Sequence, residues 1–514
     1  MTTRRRFLQG MAATAAMGRL GVSSIAEAMT ASAAVLPDPA TAPFDHVVVL
    51  MFENRSFDHL LGWLPGADGV QAGLQFTDQL GVTYPTYPLD ADTQGCDYLD
   101  PDHSWEGFVA QYNGGALDGW LRTPASRGDS DTFPIGYYGP GDVPAIASLA
   151  QSYTVLDRYF ASIMAETFPN RFYQHAARTD RDHNMGVDTT TLTPTIWDRL
   201  KDAGRTGAYY FIDEPFLALW EDKYLPIMRP IAQFKIDVDA GNLPDVSFVD
   251  PSFINEDQGQ SGDYHPHGDI RAGESYLSFV YHTLRDSISH VWDKTVLVVN
   301  FDEWGGFFDH VTPPKVVDDT VKAEKTADGA PHPDYTQLGF RVPCIVASPW
   351  SKQQVIHDGP YEHTSVLNMI EWRWGLDPLT ERDKHARNLA EVLDFSTTRD
   401  DKPDIPELTE FLSVACGPTS TAKHPPLPIT LSPTSGGSGA GTGTGAGTGA
   451  QTLAKTGGAG VPVIAAAAAL TGGMAIRAAH RRAQLATGDG FDDPVNVMIG
   501  LVDDPSATAD EPTS

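Results

Sequence analysis

Two stretches of the 514-residue sequence place a carboxylate beside a second oxygen-bearing side chain directly after an apolar, β-branched run. His46–Met51 leads into Phe52-Glu53-Asn54-Arg55-Ser56-Phe57-Asp58-His59. Thr295–Phe301 leads into Asp302-Glu303-Trp304-Gly305-Gly306-Phe307-Phe308-Asp309-His310. Oxygen-rich sets of this kind suit a hard divalent cation, of the Ca, Mg or Mn type, better than the sulfur or imidazole sets that zinc favours. Each segment alone reads about equally well as a solvated strand-end turn, where Asp, Asn and Gly are common. Two such ends in one chain favour a site.

The elements that must position these residues are legible as alternating patterns. Short β-rich runs recur at His46–Met51, Ala208–Ile212, Val246–Val249, Thr295–Phe301 and Cys344–Ser348. Between them, Leu277, Val280, Tyr281 and Leu284 fall on one helical face, and Leu367, Ile370 and Trp374 mark another with Thr364 as a candidate N-cap. Near-continuous apolar strands alternating with helices predict an α/β fold whose mostly parallel central sheet is covered by helices on both faces. In such sheets the ligand site lies beyond the carboxyl ends of the strands, which is where both oxygen-rich segments fall.

Composition narrows the function. With 41% hydrophobic and 10% aromatic residues a large core is available. Thirty-six basic against 67 acidic residues give a net charge of −31, which argues against a nucleic-acid partner and against attachment to anionic lipid by charge alone. No nucleotide-binding glycine loop is present. Three cysteines, Cys96, Cys344 and Cys416, allow at most one bridge plus a free thiol.

The ends of the chain read as addresses. Residues 1–34, with Arg4-Arg5-Arg6-Phe7-Leu8 before an Ala-rich stretch, resemble a twin-arginine signal peptide, which makes the twin-arginine translocase an expected partner. Residues 44–416 form one catalytic domain, and residues 425–452 a stalk rich first in Pro and then in Gly, Ser and Thr. Residues 453–482 (Leu453-Ala454-Lys455-Thr456-Gly457, an apolar run, then Arg477, Arg481 and Arg482) resemble a sortase sorting signal, with a plain membrane anchor as the alternative. An acidic tail, 483–514, follows. The expectation is export across a bacterial cytoplasmic membrane and attachment at the cell surface.

Seven segments then fix a resemblance: Glu53–Trp63, Asp100–Ser104, Thr167–Arg171, Asp263–Ile270, Asp302–His310, Arg341–Pro343 with Ala347–Trp350, and Tyr361–Ser365. In this order they are similar to the bacterial phospholipase C and acid phosphatase family, closest to its non-specific phospholipase C branch, and imply an alkaline-phosphatase-like fold. The resemblance implies that Glu53, Asn54, Asp302 and Glu303 hold a divalent metal ion and that Thr167 is the nucleophile. His103 and His265 would contact the phosphoryl oxygens, and His310, His363 and Arg55 would support the site from behind it. Arg55 could pair with phosphate or with Asp58, and the structural pairing with Asp58 is the expectation. A helix beginning at Pro169 or Asn170 would turn its free N–H groups toward phosphate. Gly305 and Gly306 would let the backbone approach the metal. The implied activity is metal-dependent phosphate-ester hydrolysis. Cleavage of phospholipid to diacylglycerol and a phosphorylated headgroup through a phospho-threonine leads. Acid phosphatase activity on monoesters is the alternative, and a non-catalytic surface adhesin a weaker one.

Overall fold

The computed structural model describes residues 36–90, 92–126, 131–184, 190–320, 334–399 and 401–417. The expected signal peptide, stalk, sorting signal and acidic tail lie outside the described residues. Among the described residues no helix is long and apolar enough to cross a membrane.

An eight-stranded sheet forms the centre. In chain order its strands are β1 (His46–Phe52), β2 (Thr154–Leu156), β3 (Gly207–Phe211), β4 (Met228–Pro230), β5 (Val246–Val249), β6 (Thr295–Phe301), β7 (Cys344–Ala347) and β8 (Gln354–Ile356). Their spatial order is β8-β2-β7-β6-β1-β5-β3-β4. Only β7 runs against its neighbours, β6 and β2; every other pairing is parallel. All seven residues of β6, and all of β1 but His46, are buried, as a sheet covered on both faces requires.

The helices are α1 (Phe57–Leu61), α2 (Trp105–Tyr112), α3 (Pro144–Ser152), α4 (Thr167–Ala176), α5 (Ile196–Asp202), α6 (Ile231–Asp239), α7 (Ile270–Arg285), α8 (His363–Trp374) and α9 (Glu381–His385). One group joins α4, α5, α8 and α9, and another joins α3, α6 and α7. The apolar face Leu277, Val280, Tyr281 and Leu284 of α7 is fully buried. Helix α8 is capped by Glu362, whose carboxylate accepts the Thr364 N–H, so Thr364 lies in the first turn and is not the cap. A carboxylate reaches the first-turn N–H from one residue outside the helix, which a Thr inside it cannot do.

A second apolar cluster lies under the loops beyond the strand ends. It packs Trp304 and Phe308 against Phe108, Trp120 and Phe340. Trp304 also donates its indole N–H to Gln111 Oε1 at 2.8 Å. The Asp302–His310 segment is therefore anchored from α2. Cys96 and Cys416 form a disulfide and Cys344 is a buried thiol on β7, within the limit the three cysteines set.

Candidate active site

Strands β1 and β6 pair in register from His46 with Thr295 to Phe52 with Phe301. Glu53 and Asp302, the next residue of each, therefore leave the sheet side by side. Asp302 N–H donates to Phe52 O at 3.0 Å, and Arg55 N–H to Glu303 O at 3.1 Å. The Asp302 carboxylate accepts from the backbone N–H of Asn54 at 3.1 Å and of Glu303 at 2.6 Å. Asn54 itself has φ +62° and Gly305 φ +61°. A Cβ on Gly305 would lie 2.0 Å from Asn54 O, and one on Gly306 would lie 2.6 Å from Pro101 Cβ. These glycines thus serve the close approach of two protein segments.

Helix α4 brings Thr167 to the same place. It starts at Thr167 with Glu166 as N-cap, two or three residues earlier than the sequence suggested. Pro169 is tolerated because it sits in the first turn, where an N–H has no intrahelical partner. Thr167 is buried, and its Oγ1 lies 3.5 Å from Asn54 Oδ1. The Phe168 N–H is taken by Asn184 Oδ1 at 2.7 Å, so that one is not free for phosphate. One turn on, buried Arg171 donates to Glu53 Oε1 at 3.0 Å and Asp250 Oδ2 at 3.2 Å, with Asp302 Oδ2 at 3.5 Å. Three strand ends are thereby tied to the helix that carries Thr167.

His103 and His265 meet edge to face, with ring centroids 5.7 Å apart. His103 Nδ1 faces Pro101 O at 2.8 Å and His265 Nδ1 faces Pro266 O at 2.9 Å. A carbonyl can only accept, so each Nδ1 carries a proton and each Nε2 is left for a ligand. Asp263 shapes the second segment, accepting from His265 N–H at 2.8 Å and Ser261 Oγ at 2.7 Å. Ligand atoms of Asp100, His103 and His265 come within 4.8 Å of one another, as do those of Glu53, Glu256 and Asp263.

Carboxylates outnumber the cations here. Burial, with the charges of Asp302 and Asp263, raises Glu53 well above the usual carboxylate range despite Arg171. Burial also pushes Asp302 up to about 6 and Asp263 up to about 7, and raises Glu303 well above its ordinary value with the help of Asp302. For His103 burial acts downward, but Glu303, Asp100 and Glu166 prevail and push it up to about 10. His265 is pushed down to about 4 by burial. Glu53 Oε2, Asp302 Oδ2, Glu303 Oε1 and Asp263 Oδ2 are buried and accept no hydrogen bond. Buried acceptors left open are costly unless a cation or donor reaches them. An oxygen-only set with open lone pairs and surplus negative charge fits a hard divalent cation.

The supporting residues divide. His363 is buried, with Nε2 3.0 Å from Phe301 O and Nδ1 2.9 Å from Ser162 Oγ. It braces the backbone immediately before Asp302. Arg55 does not pair with Asp58: its Nε donates to Tyr264 O at 2.6 Å, and Nη1 lies 3.1 Å from His59 Nε2. Asp58 instead binds Arg341 at 3.2 Å and His310 at 2.5 Å. His310 reaches on to Asp68 at 3.1 Å, in an ion network shared with Arg341. Sequence reasoning assigned no role to Arg171, Asp250, Asp263 or Asp100. Asp250 follows β5 directly, so the strand-end rule applied to Val246–Val249 would have found it. Arg171, four residues after Thr167, shares its helix face.

The family model described as Phosphoesterase matches residues 44–223 and 214–377. Non-specific phospholipase C1 of Arabidopsis thaliana is 33% identical over 389 residues, covering 68% of this chain and 71% of that protein. Phospholipase C B of Mycobacterium tuberculosis is 32% identical over 440 residues, covering 73% of this chain and 82% of that protein. Among solved structures, a protein of the alkaline phosphatase superfamily from Vibrio parahaemolyticus aligns over 69% of this chain and 71% of its own, at 12% identity and a TM-score of 0.35. The match to the family model takes in both strand ends, Thr167 and both histidines, and with it the chain belongs to the phosphoesterase family.

Proposed function

We propose that this protein is a phospholipase C-type hydrolase that cleaves the phosphodiester of a phospholipid between glycerol and phosphate, through a phospho-threonine intermediate at Thr167. The observation that carries the reading is the placement of Thr167 Oγ1 3.5 Å from Asn54 Oδ1, beside buried acceptors of Glu53, Asp302 and Glu303 that have no donor. Those three carboxylates and Asn54 Oδ1 would hold the divalent cation, which when bound neutralises phosphate charge and lowers the pKa of an attacking hydroxyl. Arg171 fixes Glu53 and Asp302 relative to α4, and so sets the distance from the threonine to its activating groups. In the first step Thr167 Oγ1 loses its proton to solvent and attacks phosphorus in line, and the bond from phosphorus to the diacylglycerol oxygen breaks. His103 Nε2 is placed to give that oxygen a proton. His265 Nε2 binds a phosphoryl oxygen in the doubly protonated form of the ring, which the phosphate's negative charge favours. Water, its proton taken up by His103 Nε2, then attacks phosphorus; the bond from phosphorus to Thr167 Oγ1 breaks, Thr167 regains a proton, and the phosphorylated headgroup is released. The relatives' names support a phospholipid substrate.

Export and surface attachment belong to the same proposal. The Cys96–Cys416 disulfide supports export, because such bridges persist in oxidising compartments. Turnover of p-nitrophenylphosphorylcholine against p-nitrophenyl phosphate, with and without chelator, tests the function. The proposal expects the diester to be preferred and the chelator to abolish turnover. A strong preference for the monoester makes the protein a phosphatase, and turnover of neither overturns the enzymatic reading.

A further inference from the structure

The segments that carry His103 and His265 have almost no regular secondary structure of their own between residues 92–104 and 250–269. A strap of chain, 403–416, supplies the order. It crosses α7, where Arg285 Nη1 donates to Pro403 O at 2.8 Å, Ser278 Oγ to Pro406 O at 2.9 Å, and Phe411 N–H to Ser275 Oγ at 3.1 Å. It then reaches the His265 segment. Ser413 Oγ donates to Gly259 O at 2.5 Å and accepts from Asp269 N–H at 2.9 Å, and Cys416 N–H donates to Gln258 O at 2.8 Å.

The other side of the same segment is held by the chain leading to His103. Gln94 Nε2 donates to Gly259 O at 3.1 Å and to Val414 O at 2.6 Å, so one amide ties both segments to the strap. Ile270 N–H donates to Thr93 O at 2.9 Å, and His267 Nε2 lies 3.1 Å from Tyr98 O. The Cys96–Cys416 disulfide closes this clasp covalently, joining positions 320 residues apart. Packing at the closure is tight. Gly259 has φ +78°, and a Cβ there would fall 2.3 Å from His267 O and 3.1 Å from Cys416 Sγ. The residues matched to the phosphoesterase family model end at 377, so the strap lies beyond them.

We propose that the strap and its Cys96–Cys416 disulfide are a positioning device that holds the His103 and His265 segments in register across the site. Neither cysteine touches the reacting atoms; they act through the two loops. The inference rests on the hydrolase reading above. A dithiol reductant undoes the clasp by two successive thiolate attacks. It leaves as its own cyclic disulfide while two electrons and two protons pass to Cys96 and Cys416.

The test compares the full-length protein, the protein reduced with dithiothreitol, the Cys96→Ser/Cys416→Ser double variant, and Ser413→Ala, which keeps the bridge but removes two hydrogen bonds. All are assayed with p-nitrophenylphosphorylcholine and p-nitrophenyl phosphate well below their melting temperatures. The expected result is a fall in kcat of about tenfold or more, with KM and divalent-ion content nearly unchanged and faster amide exchange in 258–269, because displacements of the order of 1 Å weaken catalysis strongly. Reoxidation should restore kcat. A bridge that only staples the fold would lower the melting temperature and leave kcat within about twofold of the untreated protein, and that result in the reduced protein and in Ser413→Ala would overturn the inference. Should the double variant fail to fold, Ser413→Ala alone decides. An untreated protein that hydrolyses neither ester instead refutes the hydrolase reading itself, an outcome distinct from an active enzyme indifferent to reduction.

Discussion

Gly305→Ala probes the strand-end site without removing any of its functional groups. Gly305 and Gly204 have similar φ, +61° and +67°, but different surroundings. A Cβ at Gly204 meets nothing within 4 Å, whereas one at Gly305 lies 2.0 Å from Asn54 O and 2.5 Å from its carbonyl carbon. Both substitutions incur about 1–2 kcal/mol for a left-handed alanine. Only Gly305→Ala adds overpacking, about 1–3 kcal/mol. Contacts below 3.0 Å force a shift, so Asn54 or the Asp302–Gly305 turn must move by roughly 1 Å. A displacement of that size costs catalysis about 100-fold. The assay is kcat/KM on p-nitrophenylphosphorylcholine together with thermal unfolding in excess divalent cation. Gly305→Ala should lose about two orders of magnitude in kcat/KM while Gly204→Ala keeps its activity and loses only a little stability. Equal activity of the two variants would refute the idea that Gly305 sets the position of Asn54.

Three further expectations follow from the same geometry. Thr167→Ala should abolish turnover with divalent-ion content unchanged, whereas Thr167→Ser should retain measurable turnover; stopped assays beside metal analysis check both. Arg171→Met leaves Glu53, Asp250 and Asp302 without their shared counter-charge. It should cost about 3–5 kcal/mol in chemical denaturation with chelator present, and less with the cation in excess. His310 is acted on downward by burial, but Asp58 and Asp309 outweigh this and raise its pKa. Its pairing therefore stabilises the fold fully below about pH 6.5, the unfolded value, and the stabilisation fades as pH rises through the higher folded value. The stability difference between the parent protein and His310→Ala should accordingly shrink as pH rises above about 6.5; a difference that grows over that range would contradict the Asp58–His310 pairing.

The parts of the fold that were legible are those whose signal is local. Runs such as Val246–Val249 and Thr295–Phe301 are apolar along their whole length because the sheet is covered on both faces, and the structure keeps their bounds. The convergence of Glu53 and Asp302 followed from the strand-end rule alone. Where signals were long-range, sequence reasoning stopped. Nothing near Arg171 in the chain indicates that its partners come from β1, β5 and β6. Arg55 stands three residues from Asp58, but a buried Arg341, 283 residues away, claims that carboxylate. Three cysteines allow three pairings, and only the strap across α7 brings Cys416 to Cys96. Pro169 suggests a helix beginning at 169 or 170, whereas Glu166 and Asn184 secure the turn before it and α4 begins at Thr167.

The central claim is that Thr167 becomes covalently phosphorylated during turnover. Acid quenching of the enzyme in steady state with p-nitrophenylphosphorylcholine, followed by proteolysis and mass spectrometry, tests it directly. The account predicts an adduct of the phosphorylated headgroup on the peptide containing Thr167, at the threonine itself, and none in Thr167→Ala. Full turnover with the adduct on another residue, or undiminished turnover by Thr167→Ala, would contradict it.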